Sequence, residues 1–179
     1  MCHDLAVTEP ADAPAASRLA GARPLVAIAV AAALVLAGGW WSTHPSRFLP
    51  VGNEVGAKAA IGTPIVFSTE AFPSSSVVLR GAEARIREDT ANAVVRVVFC
   101  TGSKEFGAFT GTAKEHCGRV IPVKGAHLGP DRGSGRQLMV EVTLRQPGTV
   151  VLDGVDVSYR SGPRLGSETT GLVIQVESR

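Results

Sequence analysis

The sequence predicts an all-β protein: an antiparallel two-sheet sandwich, immunoglobulin-like in the broad sense, preceded by one transmembrane helix. Three observations predict it. A single uncharged apolar run, PLVAIAVAAALVLAGGWW, lies near the start, from Pro24 to Trp41. Beyond it, short β-branched segments alternate apolar and polar residues with a period of two, as a sheet with one buried face requires. Between those segments fall Gly, Pro, Asp and Ser, the residues of turns.

Size and charge set the frame. The 179 residues suffice for one ordinary domain plus a short extra segment. With 45% hydrophobic and 19% charged residues, wholesale disorder is not expected. The net charge is +2, with no block of like charges. A basic stripe, the footprint of a nucleic-acid protein, is missing, so nucleic acid is not an expected partner.

Residues 1–23 are rich in Ala, Pro and Asp and read as a disordered cytoplasmic tail that carries Cys2. Residues 24–43 read as the transmembrane helix, because about 20 mainly apolar residues cross the hydrocarbon core. Trp40 and Trp41 stand where an aromatic belt belongs, and Arg23 can reach headgroups from the other end. Arg18 and Arg23 precede the run and only Arg47 is reliably charged just after it, which favours a cytoplasmic N-terminus. The rival is a cleaved signal peptide with Leu25–Ala37 as its apolar core and Ala37-Gly38-Gly39 near the cleavage point. The acidic leader and the bulky tryptophans argue against cleavage. The LAGG string lacks the cysteine a lipoprotein needs.

Residues 44–60 carry two prolines and two glycines without periodicity and read as a stalk. The β-domain is expected over 61–179. Its strands are predicted at Thr63–Ser68, Ser76–Arg80, Ala91–Cys100, Arg119–Lys124, Gln137–Leu144, Val155–Arg160 and Gly171–Glu177. Ala82–Arg87 extends the second or adds another, and Val150–Leu152 is a short extra one. Leu138, Val140, Val142 and Leu144 share a face, as do Val155, Val157 and Tyr159, and Leu172, Ile174 and Val176. Gln146-Pro147-Gly148 and Asp153-Gly154 read as turns. Seven or so short strands at this spacing fit a sandwich, with a small barrel as runner-up.

Cys100 and Cys117 are the only cysteines past the apolar run, each at the border of a predicted strand. A disulfide between them would close a Gly- and Thr-rich loop, worth about 3 kcal/mol in the entropic account, and would persist in an extracytoplasmic compartment. A zinc site from Cys100, His116, Cys117 and His127 is the sharper alternative, but the spacing matches no compact motif.

No catalytic, cofactor-binding or metal-binding motif is found: no phosphate loop, no G-x-S-x-G and no H-E-x-x-H. A sortase shares the layout, yet Cys100 follows Val-Val-Phe instead of the T-L-x-T sortase motif. Four residues stand out as a contact surface. Phe106 and Phe109 lie in the Gly-rich disulfide loop, and Arg132 and Arg136 flank a glycine loop able to meet an anion. Arg160 and Arg164 flank a further turn at Ser161-Gly162-Pro163.

Arg outnumbers Lys by 14 to 4 and Ala is abundant. With the layout and the tail LDGVDVSYRSGPRLGSETTGLVIQV, the chain resembles uncharacterised single-pass membrane proteins of high-GC actinobacteria. That resemblance implies a location and a β-rich domain, and no activity. The expected protein is thus a membrane-anchored extracytoplasmic β-domain, a binding or accessory module of the cell envelope, not an enzyme, and without a cofactor. Its partners are the lipid bilayer, through the N-terminal helix, and another envelope protein. The alternatives are an envelope enzyme with a dispersed site and a secreted β-domain after signal cleavage.

Overall fold

A computed structural model gives the structure of residues 22–43, 47–48, 52–103 and 107–179, with side chains undescribed at 22–25, 41–43 and 132. The expected tail lies almost wholly outside the described residues, as do Cys2 and Phe106. The chain divides into two units, with the break between Trp40 and Trp41.

Helix α1 spans Ala22–Thr43, most of it in the first unit. Its Ala- and Leu-rich composition favours the helix. Val26, Ile28, Val30, Leu34, Val35, Leu36 and Trp40 are all exposed on it. Among the described residues no helix is long and apolar enough to cross a membrane, and the described side chains of α1 cover only 26–40. The expected span over 24–43 therefore stands on the sequence alone.

The second unit is built from two five-stranded sheets. The first contains β1 (Glu54–Ala59), β3 (Val77–Asp89), β7 (His127–Leu128), β9 (Thr149–Ser161) and β10 (Arg164–Ser178), in the order β1-β10-β9-β3-β7. The second contains β2 (Ile65–Ser68), β4 (Val94–Thr101), β5 (Ala108–Thr110), β6 (Arg119–Ile121) and β8 (Arg136–Thr143), in the order β5-β2-β8-β4-β6. The two sheets are separate, so the architecture is a sandwich and not a barrel.

The alternating residues meet between the sheets. Phe67, Phe99, Leu138, Val140 and Val142 from the second sheet pack in one cluster with Leu79, Leu152, Val157, Tyr159, Ile174 and Val176 from the first. Each fully buried aliphatic chain contributes roughly 1.5–3 kcal/mol.

Several expectations need correction. The stalk does not hold over its length: β1 lies inside 44–60 and pairs with β10 from Glu54↔Val173 to Ala59↔Ser178. That pairing is parallel, so the sandwich is not wholly antiparallel. Phe48, in the same stretch, is buried and bridges to Pro73. The strand was hidden because Gly56, Ala57 and Ala59 have poor strand preference, although Val55, Ala57 and Ala59 do alternate inward.

Asp153-Gly154 does not turn the chain. It lies inside β9, which joins the two expected pieces Val150–Leu152 and Val155–Arg160. Pairing with β10 is irregular there, stepping from Asp153↔Val173 to Val155↔Thr170, so the dipeptide sits at a bulge. The turn is at Gly162-Pro163, closed by the Ser161↔Arg164 pair. Gly162 has φ +60°. Proline cannot take a positive φ, so of the two favoured two-residue hairpin turns only type II′, with glycine first, fits. β10 accordingly begins at Arg164 and not at Gly171.

Candidate functional site

The disulfide loop forms a cap on the outer face of the second sheet. Cys100 is the penultimate residue of β4 and is fully buried; it is bonded to Cys117, with Cα atoms 5.4 Å apart. Helix α2 (Ala113–His116) lies between them in sequence. Ala113 and Cys117 pack with Val66, Val98, Cys100, Val120 and Met139 in a small cluster distinct from the main core. The Ala113 N–H donates to Glu141 Oε2 at 2.9 Å, tying the helix to β8. Thr112 donates its N–H and its hydroxyl to Glu115 Oε1, at 3.1 and 2.8 Å. These bonds, the hydroxyl's first, hold the Glu115 carboxyl below its usual range.

Phe109 is half-buried on β5 opposite Val66, and its ring lies 4.9 Å from that of His116. His116 Nε2 is 3.0 Å from the Thr110 carbonyl, at the outer end of this edge strand. Among the described residues no cluster of His, Cys, Asp and Glu could hold a metal ion.

A second feature is a polar lock. Glu168 on β10 accepts the Arg47 N–H at 2.7 Å, the Phe48 N–H at 3.2 Å and the Tyr159 hydroxyl. Phe48 meets the Tyr159 ring edge-on at 5.3 Å. Gly166 makes this possible, because a Cβ there would come within 2.5 Å of the Tyr159 ring. Burial, then the hydrogen bond and charge of Glu168, push the Tyr159 hydroxyl well above its ordinary range.

The third feature is a basic end of the first sheet. Cross-strand pairing sets His127, Val78, Arg160 and Leu165 in one row over four strands. One cavity, of about 270 Å³, is lined by Arg80, Lys124 and Arg160 together with Val78, Gly125 and Leu165. A second, of about 280 Å³, is lined by Ser76, His127, Asp131, Ser134 and Arg136. Asp131 caps the turn Arg132–Ser134 by accepting the Gly133 N–H at 2.7 Å, and the Asp131 carbonyl accepts the Ser134 hydroxyl at 2.8 Å.

Of the four expected contact residues, Phe109 sets its ring against His116 and Arg136 lines the cavity beside His127, while Phe106 lies outside the described residues. Only the backbone of Arg132 is described. Arg80 and Lys124 were missed. They are 44 positions apart; the β3–β9 pairing brings Arg80 to Arg160, and backbone hydrogen bonds from the turn before β7 to Leu79 bring Lys124.

Compared with family models, curated proteins and solved structures, the chain has no match.

Proposed function

We propose that this chain is a single-pass membrane protein with a cytoplasmic N-terminus, whose β-sandwich lies outside the cytoplasm as a binding or accessory module of the cell envelope. The observation that carries the reading is the Cys100–Cys117 disulfide, which clamps a cap over the second sheet. Such bonds persist in oxidising compartments. The anchor is supported by the uncharged run Pro24–Ser46, long enough for the hydrocarbon core. A binding role is supported by the two cavities at the basic end of the first sheet, each with a few polar groups converging on it.

The test is labelling of intact cells with a membrane-impermeant maleimide. A cysteine introduced at the exposed Ser74 should react from outside, whereas Cys2 should react only after lysis. Cys100 and Cys117 should need denaturant and reductant together. A Ser74→Cys chain labelled only after lysis, or thiols at Cys100 and Cys117 that react without reductant, refutes the placement. The mature N-terminus, read by mass spectrometry, separates an anchor (Met1 end retained) from a cleaved signal (new end near Gly38).

A further inference from the structure

We propose that the Arg80–Lys124–Arg160 cavity binds the phosphate group of a phosphate ester, with Leu165 and Val78 against the ester's apolar part. The inference deepens the binding-module reading and rests on it.

The three cations come from three separate elements. Arg80 is on β3 at an irregularity where the register steps from Leu79↔Tyr159 to Gly81↔Ser158. Bulges of this kind re-aim side chains beside binding sites. Arg160 is on β9, directly opposite Val78. Lys124 is on the turn before β7, and that turn is fastened to β3. The Leu79 N–H donates to the Ala126 carbonyl and the Gly125 N–H to the Leu79 carbonyl, both at 2.8 Å. Lys124 is thereby brought to the cavity by a hydrogen-bonded backbone and not by a loose loop. A Cβ at Gly125 would meet nothing within 4 Å, so the cavity is open beside it.

The charge is local. The whole chain has 18 Lys and Arg against 16 Asp and Glu, yet among the described residues no acidic one lines this cavity. Among the described residues none of the three cations forms an ion pair. Three like charges held together without a counter-charge repel one another, and an anion relieves that repulsion. Phosphate, with several acceptor oxygens, suits a guanidinium pair plus an ammonium. Leu165, 47% exposed beside Arg160, gives the site an apolar wall that an inorganic ion would not use. At about 270 Å³ the cavity lies just under the range of drug-sized ligand sites, roughly 300–1,000 Å³, and matches a headgroup-sized ester.

The full chain in neutral detergent is titrated with inorganic phosphate, glycerol 3-phosphate and dihexanoyl phosphatidylglycerol, with dihexanoyl phosphatidylcholine as the zwitterionic control. Saturable binding of glycerol 3-phosphate or phosphatidylglycerol is expected, weakening with salt and falling about tenfold in Lys124→Gln and in Arg160→Gln. Tighter binding of phosphatidylglycerol than of glycerol 3-phosphate assigns a lipid headgroup; equal binding assigns a soluble ester. Lys124 is exposed on a turn, so Lys124→Gln should keep its melting temperature, and its loss of binding is not a folding defect. No saturable binding of any phosphate probe, or undiminished binding in the double variant, overturns the inference. The labelling experiment reads the envelope placement independently, so either idea can fail while the other survives.

Discussion

Tyr159 is the chain's only tyrosine, which makes the polar lock directly readable. Its hydroxyl is raised by burial first and by Glu168 second. A group raised in the folded state contributes stability that is full below its unfolded value, about 10 for tyrosine, and is lost as pH rises through the folded one. Absorbance near 295 nm should therefore stay silent through the usual tyrosine range and rise only as the domain unfolds. An ordinary titration near pH 10 in the folded protein would remove the lock. Glu168→Ala should bring the titration down toward the ordinary value and cost about 2 kcal/mol, since it strands two backbone donors and the hydroxyl. Sequence reading placed Tyr159 correctly on the inward face of its strand. Its partner Glu168 lay in the Ser- and Thr-rich stretch before the strand predicted from Gly171, and nothing local joins it to Arg47 and Phe48, more than a hundred positions away.

The strands differ in how they finish their edges. β4 pairs with β8 along Val94–Thr101, but β6 covers only Phe99–Thr101. On that side Val94–Val98, a run of four valines around Arg96, is left without a neighbouring strand among the described residues. Exposed Arg96 is the charge that discourages edge-to-edge pairing. Arg96→Val should raise light scattering at high protein concentration with little change in melting temperature, whereas Arg96→Asp should stay clear; equal scattering from both would show that the edge is protected otherwise. β3 guards its own open half with Glu83, Arg85, Arg87 and Glu88, and Arg87 reaches Asp153 at 3.0 Å. That exposed pair contributes little to stability. The disulfide contributes more: reduction should lower stability by about 3 kcal/mol, read as a shifted denaturant midpoint. The cysteine pairing was legible because both residues border predicted strands. The cap helix was not, since a four-residue helix leaves no periodicity to read.

At the scale of the whole molecule, the domain starts earlier than its obvious strands. Phe48 is buried, β1 completes the first sheet, and the Arg179 N–H donates to the Ala59 carbonyl at 2.9 Å. A chain starting at Ile61 should therefore unfold or aggregate, while one starting at Trp41 folds. The loss of Phe48 burial alone costs roughly 1.5–3 kcal/mol, and the uncovered edge of β10 adds to it. Equal denaturant midpoints for the two chains would return residues 44–60 to the role of a spacer.

Alternation of apolar and polar residues determined that a β-domain with one buried face per strand forms and which faces of β8, β9 and β10 turn inward; that the strands form two sheets and not a barrel was decided by the structure. The period of two is a property of the strand itself, and burial of one face follows from it. The two later cysteines and the apolar run were equally plain, because each is a matter of residue type over a short window. Only the tertiary structure decided that β1 joins in parallel, that Asp153-Gly154 bends a strand instead of ending it, and that Arg80, Lys124 and Arg160 share a cavity. Those outcomes depend on the register between strands distant in the chain, and register is set when the two inner faces close on each other.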